Sequence, residues 1–287
     1  MIRRVFVDTA WNRKPHACYD PLTDRFFEAR KLTDLKDYDE IYLDSLLFPG
    51  IWSELRELIA EGRQVYYFTR PWRWRELRER FKDDLRERFK TREVKKTDYG
   101  DSYVLWKVYE TGISMGNVHK WFKPITIMDV EVRPLLMKEA AVARMIDRLE
   151  RMKMMGVQVN EVEKMKKLLQ SIRCEIVEKG FNLMPWLSRV SGELGLEKDD
   201  LNALTGLVGL MTYMKQLSYH KALRYLGLYR ARNKEIKRCS GKARRYLMMV
   251  AVSMVSREGR WPPRLRDLRA VLKRLIKTLK ELEPAGV

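Results

Sequence analysis

The sequence predicts an α/β domain over residues 1–133, a coiled-coil or helical linker over 134–180 and an all-α domain over 181–287. Three observations predict this. Short β-branched and aromatic runs alternate with amphipathic stretches at the start of the chain. A stretch rich in Met, Leu, Lys and Glu, almost without glycine or proline, follows from Pro134 to Lys179. Helical periodicity then continues, increasingly basic, to the end.

The elements can be justified in order. Val5-Phe6-Val7 leads into Asp8, Glu40-Ile41-Tyr42-Leu43 leads into Asp44, and Gln64-Val65-Tyr66-Tyr67-Phe68 stops at Pro71, so each is predicted as a strand. Between the second and third, Ile51, Leu55, Leu58 and Ile59 recur at helical spacing and Gly62 stands as the helix C-terminal residue. A strand-helix-strand crossover of that length favours parallel pairing. The stretch from Ile113 to Pro134 carries no readable pattern. Beyond it Met145, Leu149 and Met152 precede a break at Gly156, after which Val162, Met165, Leu169, Ile172 and Ile176 resume the period. These residues form two helices or one interrupted helix, packed as a coiled coil on itself or on another subunit, or as a plain hairpin in a bundle. Further on, Asp200 begins a helix that Thr205-Gly206-Leu207-Val208-Gly209 is expected to interrupt, and Ser218 is placed to cap a helix carrying Ala222, Leu223 and Leu226. Gly241 precedes a helix through Tyr246 to Val255, and Arg264 to Lys280 forms a last basic amphipathic helix.

Charge narrows the function. The 58 Lys and Arg outnumber the 39 Asp and Glu, for a formal charge of +19, which points to an anionic partner and above all to nucleic acid. No stretch approaches the roughly 18 consecutive apolar residues of a membrane span, and Met1 to Asp8 is too short for a signal peptide, so a soluble, cytoplasmic chain is expected. Cys18, Cys174 and Cys239 lie far apart beside only three histidines, His16, His119 and His220, which suggests neither a disulfide framework nor a zinc site. No Gly-rich phosphate loop occurs. The wealth of Lys, Glu and Arg would suit a thermophile.

The candidate chemistry lies in the acids. A carboxylate directly after a buried strand is held at the sheet edge, where ligands bind in α/β folds, and Asp8 and Asp44 both stand there. Asp98 and Asp101 are three residues apart at the start of a predicted helix. Converging carboxylates repel one another unless a cation neutralises them, and two Mg²⁺ ions so held can activate a nucleophile and stabilise a leaving oxygen. Each acid alone could instead cap a turn or a helix. Arg70, Trp72, Arg73, Trp74 and Arg75 interleave cations with planar rings, the combination that grips phosphates and stacks unpaired bases, although Trp72 or Trp74 could pack inward while the arginines pair with Glu76 and Glu79. Lys242, Arg244 and Arg245 form a second patch at a helix start, and Arg264, Arg266, Arg269, Lys273 and Arg274 a third, spaced for backbone contact.

In this order, Val5-Phe6-Val7-Asp8, Ile41-Tyr42-Leu43-Asp44 with Gly50, Leu55, Gly62 and Val65, then Thr97-Asp98 and Asp101, the chain resembles the DEDD transposases of the insertion sequence 110 family. The second half extends the resemblance. Leu201 to Gly209 is similar to that family's helix-hairpin-helix-type stretch with Thr205 where proline is usual, Ser218 to Leu228 to the segment ending Tyr-Leu-Gly-Leu, and Lys237 to Leu247 to the Lys-x-Gly-Asn segment. The resemblance implies an RNase-H-like (RuvC-like) catalytic domain, a coiled-coil linker and a helical domain with a serine nucleophile. Such enzymes recombine DNA under the direction of a structured guide RNA and act as homo-oligomers, dimers or tetramers. Carried over by position, Asp8, Asp44, Asp98 and Asp101 would hold Mg²⁺, with Asp44 where the family has glutamate. The family's Ser-Gly pair has no counterpart in Tyr229 to Ile236, and Ser240 beside Gly241 is the nearest hydroxyl, either a displaced nucleophile or a helix N-cap. Two other functions fit the same order of domains. One is a non-catalytic RNA-binding scaffold resembling archaeal Nop5-type ribonucleoprotein subunits, and the other is a domesticated junction nuclease that uses the acids alone.

Overall fold

The computed structural model describes residues 2–10, 14–45, 49–90, 97–157, 160–214, 218–229, 239–257, 259 and 261–282. They fall into two compact units, Met1–Val130 and Glu131–Val287.

The first unit is an α/β domain. Its strands are β1 (Arg4–Asp8), β2 (His16–Asp20), β3 (Arg25–Ala29) and β4 (Glu40–Leu43); α1 (Trp52–Ala60) then leads to β5 (Gln64–Phe68). Helices α2 (Trp74–Arg80), α3 (Lys82–Phe89) and α4 (Asp98–Ser114) follow, then β6 (Phe122–Pro124) and α5 (Ile127–Glu131). The sheet order is β3-β2-β1-β4-β5-β6, with β1, β4 and β5 parallel and the other pairings antiparallel. This mixed sheet has the RNase-H-like strand order.

The register explains why these strands assemble. One row across five strands reads Phe26, Tyr19, Phe6, Tyr42, Tyr66. Phe6 stacks on Tyr42 at 4.9 Å and Tyr42 on Tyr66 at 4.8 Å, and the row is covered by Val104, Leu105 and Val108 of α4. Cross-strand aromatic pairs of this kind add to the burial of the rings themselves. Because side chains alternate across a strand, Val5, Val7, Ile41, Leu43 and Val65 point to the opposite face, where they are buried as well. The expected parallel crossover through α1 is present. Gly62 ends that helix at φ +81, the left-handed geometry of a Schellman turn, with Arg63 N–H donating to the Leu58 carbonyl at 2.9 Å and Gly62 N–H to Ile59 at 3.1 Å.

The second unit is all α: α6 (Arg133–Met154), α7 (Val162–Leu183), α8 (Leu187–Glu193), α9 (Leu201–Met214), α10 (Tyr219–Tyr225), α11 (Gly241–Ser256) and α12 (Leu265–Leu282). Residues 134–180 thus contain two helices that pack on each other within this unit, and α7 packs against α9 as well. Asp200 caps α9, its Oδ1 accepting the Ala203 N–H at 2.9 Å. Ser218 stands at the N-cap of α10, but its side chain makes no capping bond.

One expectation is overturned here. Thr205 to Gly209 does not interrupt a helix; α9 runs through it unbroken. The glycines serve close approach instead, for a Cβ on Gly209 would lie 2.6 Å from the Tyr246 ring of α11. Tyr246 cannot yield, being buried with its hydroxyl donating to the Leu136 carbonyl at 3.0 Å.

Gly209→Ala should therefore destabilise the protein by about 1–3 kcal/mol through overpacking, despite alanine's better helix propensity. Gly192→Ala, at a helical position with nothing within 4 Å of the added methyl, should raise stability by up to about 1 kcal/mol. Chemical denaturation of both variants checks this, and two shifts of the same sign would sink the packing account.

Candidate functional site

Parallel neighbours deliver their C-terminal ends to one edge of a sheet. Asp8 ends β1, and Asp44 sits one residue beyond β4, where its N–H donates to the Val7 carbonyl at 3.0 Å. Thr9 ties the two ends together. Its N–H donates to Asp44 Oδ1 at 2.8 Å, and its buried hydroxyl donates to the same oxygen at 2.5 Å.

A third acid comes from the helix laid across β1 and β2. The N-cap of α4 is Thr97, whose Oγ1 accepts the Gly100 N–H at 3.0 Å, which leaves Asp98 and Asp101 in the first turn. Asp101 is buried, and its charge is felt at Asp44. Asp98 is exposed on the same turn. Asp8 and Asp44 thus end neighbouring parallel strands, Asp101 is near enough for its charge to act on Asp44, and Asp98 stands exposed on the same turn as Asp101. Lys96, which precedes this turn, lies outside the described residues.

Electrostatics make the corner uneasy for carboxylates alone. Burial raises the proton affinity of the Asp44 carboxyl; the two Thr9 hydrogen bonds oppose this, and the negative charge of Asp101 adds to it. The compensating charge is Arg78 of α2. Its Nε donates to Asp101 Oδ1 at 2.7 Å and its Nη2 to Oδ2 at 2.5 Å, the bidentate fork that suits a carboxylate. This hydrogen bonding holds the guanidinium charged well above its ordinary range, with Asp8 contributing further. Among the described residues no three His, Cys, Asp or Glu side chains stand close enough together to enclose a metal ion. Carboxylate oxygens are the donors a hard dication takes, but here Asp101 is already neutralised by the Arg78 fork.

The aromatic and basic run leads into the helix that carries Arg78, with Arg70, Trp72 and Arg73 before it and Trp74 and Arg75 in its first turn. Trp74 packs inward against Phe68 with ring centroids 5.3 Å apart, and the Arg78 guanidinium lies over its ring at 5.5 Å. Trp72 is 60% exposed. Arg73 pairs with Glu76, and Arg70 and Arg73 both lie over Trp121, at 4.7 and 5.1 Å. Arg75 is exposed. The two possibilities read from the sequence thus divide between the residues, with Trp74 packed inward and Trp72 largely exposed.

The remaining candidates belong to the second unit. Ser240 is the N-cap of α11, its Oγ accepting the Ala243 N–H at 3.2 Å. Lys242 is exposed, Arg244 is half-buried, and Arg245 is held by Glu139, with Nη1 to Oε2 at 2.6 Å and Nη2 to Oε1 at 2.9 Å. Residues 230–238, which include most of the Tyr229 to Ile236 connection and Lys237, lie outside the described residues.

Sequence reasoning missed Arg78, Thr9 and Trp121. Thr9 follows Asp8 directly and could have been flagged as a hydroxyl beside a strand-end acid. Arg78 and Trp121 find their partners 23 or more residues away, and no local pattern marks them. His16 is buried, and its Nδ1 accepts the Ala10 N–H at 3.0 Å just past Asp8 and Thr9.

Burial lowers the pKa of His16 below 6.5, so the unfolded chain takes up the proton first as pH falls. Its contribution to stability is complete above about pH 6.5 and is lost as the solution becomes more acidic. Unfolding free energy measured from about pH 7.5 to about 5.5 should decline, by at most about 1.4 kcal/mol per pH unit from this group, and the decline should shrink in His16→Gln. An identical slope in the variant would remove His16 as its cause.

Neither a protein-family model nor a curated protein matches the chain. The structure shows an α/β sheet of RNase-H-like strand order followed by an all-α region.

Proposed function

We propose that this protein is a DEDD-type DNA recombinase, which cuts and exchanges strands with Mg²⁺ under the guidance of a structured RNA. The observation that carries the proposal is the placing of Asp8, Asp44 and Asp101 at one end of an RNase-H-like sheet in a strongly basic chain. Asp8, Asp44 and Asp101 would hold the metal, with Asp98 at the rim of the site. Mg²⁺ bound there would supply an activated nucleophile and stabilise the leaving oxygen. Thr9 fixes the orientation of Asp44, and Arg78 holds Asp101 until a dication takes its place. A displaced guanidinium can grip a phosphate oxygen of the strand with the same fork. Trp72, Arg70, Arg73 and Arg75 offer a surface for unpaired RNA or DNA, and the chain would act as a dimer or tetramer.

A second possibility rests on the same ion pair. If the Arg78–Asp101 clasp is permanent, the acids are structural and the protein is an RNA-binding scaffold. Asp8→Ala separates the two cleanly, since Asp101→Ala would also strand Arg78 without its carboxylate, at a cost of about 3–5 kcal/mol where such a pair is buried. We expect Asp8→Ala to lower Mg²⁺-dependent cleavage of DNA by roughly 100-fold or more while the fold persists. Arg78→Gln should bind Mn²⁺ more tightly than the unaltered protein in calorimetry. No Mg²⁺-dependent cleavage by the unaltered protein, with RNA binding intact in it and in Asp8→Ala, would favour the scaffold, and cleavage untouched by Asp8→Ala would remove the acidic site as its source.

Ser240 is the proposed nucleophile for strand transfer. Ser240→Ala should cost about 1 kcal/mol through loss of the cap, and Ser240→Asp, which retains a capping oxygen, should restore most of that. Strand transfer lost in both variants supports the nucleophile; transfer that returns with Ser240→Asp would make Ser240 a cap only.

A further inference from the structure

The second unit contains a pocket of about 110 Å³ lined by Leu136, Arg144, Tyr213, Lys242, Arg245 and Tyr246. Its charge is one-sided. Glu139, fully buried beside it, already takes two guanidiniums, Arg245 through both carboxylate oxygens and Arg173 at 3.0 Å. Among the described residues Arg144 and Lys242 have no carboxylate partner, and the Arg144 Nε donates only to the Ala140 carbonyl at 3.1 Å.

The placing of the cations is also unfavourable for the helix itself. The first turn of α11 carries Lys242 and Arg244 and no acid, and Arg245 follows directly. Cations at a helix N-terminus oppose the dipole by about 0.3–1 kcal/mol each, whereas an anion there is stabilised. An anionic ligand removes both penalties at once.

Size and shape limit what that anion can be. Water occupies about 30 Å³ in the liquid, so the pocket takes a few waters or one tetrahedral oxyanion, and drug-sized ligands need about 300 Å³ or more. A base cannot stack inside, because Tyr213 is already stacked on Tyr246 at 5.8 Å and has the Arg133 guanidinium over its ring at 5.5 Å. Arg245 is immobilised by Glu139 and so presents its charge in a fixed place.

We infer that this pocket receives a single backbone phosphate of a nucleic-acid strand, positioning it without reading sequence; this rests on nucleic acid being the partner proposed above. Arg144 and Lys242 supply the charge at the mouth, and Arg245 supplies it at the wall. The contact is a phosphodiester grip, so affinity should depend on salt and not on base identity.

The test uses the full chain without divalent metal, so that cleavage does not enter, and titrates it with fluorescein-labelled single-stranded oligonucleotides of two different sequences across a range of NaCl. The double variant Arg144→Gln/Lys242→Gln should bind both strands about tenfold more weakly, with a log–log salt slope shallower by about one. Both side chains are exposed, and loss of a folded state is not expected. Arg245→Lys, which keeps a cation beside Glu139 but removes the fork, is the second variant and should weaken binding in the same direction. Inorganic phosphate, at matched ionic strength, should compete with the strand on the unaltered protein and not on the double variant. An unchanged slope in the double variant, or weakening confined to one sequence, overturns the inference. So does competition by inorganic phosphate in a protein whose strand affinity the substitutions leave alone, which would mark a site for a free anion. Failure of the acidic site shows in cleavage with Mg²⁺, and failure of this pocket shows in the salt slope of strand binding without it, so the two are read separately.

Discussion

The parallel pairing of β1 with β4 is the constraint on which the first unit depends. It sets Phe6 opposite Tyr42 and so starts the aromatic row that binds five strands and seats α4. The same pairing brings Asp8 and Asp44 out side by side, and α4, seated on the row, adds Asp101. A slip of one residue would turn the rings to the other face and separate the acids in the same movement. Core and candidate site are consequences of one register.

In the second unit the comparable role falls to α9 against α11. Close approach at Gly209 lets Tyr246 reach the Leu136 carbonyl, and this brings α6 to the same place. Once the three helices meet, Glu139 is buried, and its charge must be answered by Arg173 and Arg245. Removing one partner from such a group leaves a buried charge uncompensated, which is why the cluster behaves as a unit and not as three residues.

Much of this was legible in the sequence because it is local. Val5 to Asp8, Glu40 to Asp44 and Gln64 to Phe68 each declare a strand by their own composition, and Gly62 and Asp200 mark helix ends by mechanisms confined to one turn. β2 and β3 were harder, since His16 to Asp20 is buried throughout and does not alternate. β6 is a three-residue strand ending in Pro124, too short for any periodicity. The acids at strand ends were visible, yet burial separates Asp101 from Asp98, and burial depends on how α4 lies on the sheet. Thr205 to Gly209 misled because glycine has two uses, turning a chain and admitting a neighbour, and only the neighbour, Tyr246, tells which applies.

The guanidinium of Arg78 has one more consequence. Many small metal-dependent domains assemble only when their ion arrives, because the ligands cannot tolerate one another until then. Here a covalently attached cation already sits on the most buried of the acids, so the corner can close around its own chain. If the corner takes the dication proposed for it, folding of the first unit need not wait for that ion, and a chelator should leave the architecture standing.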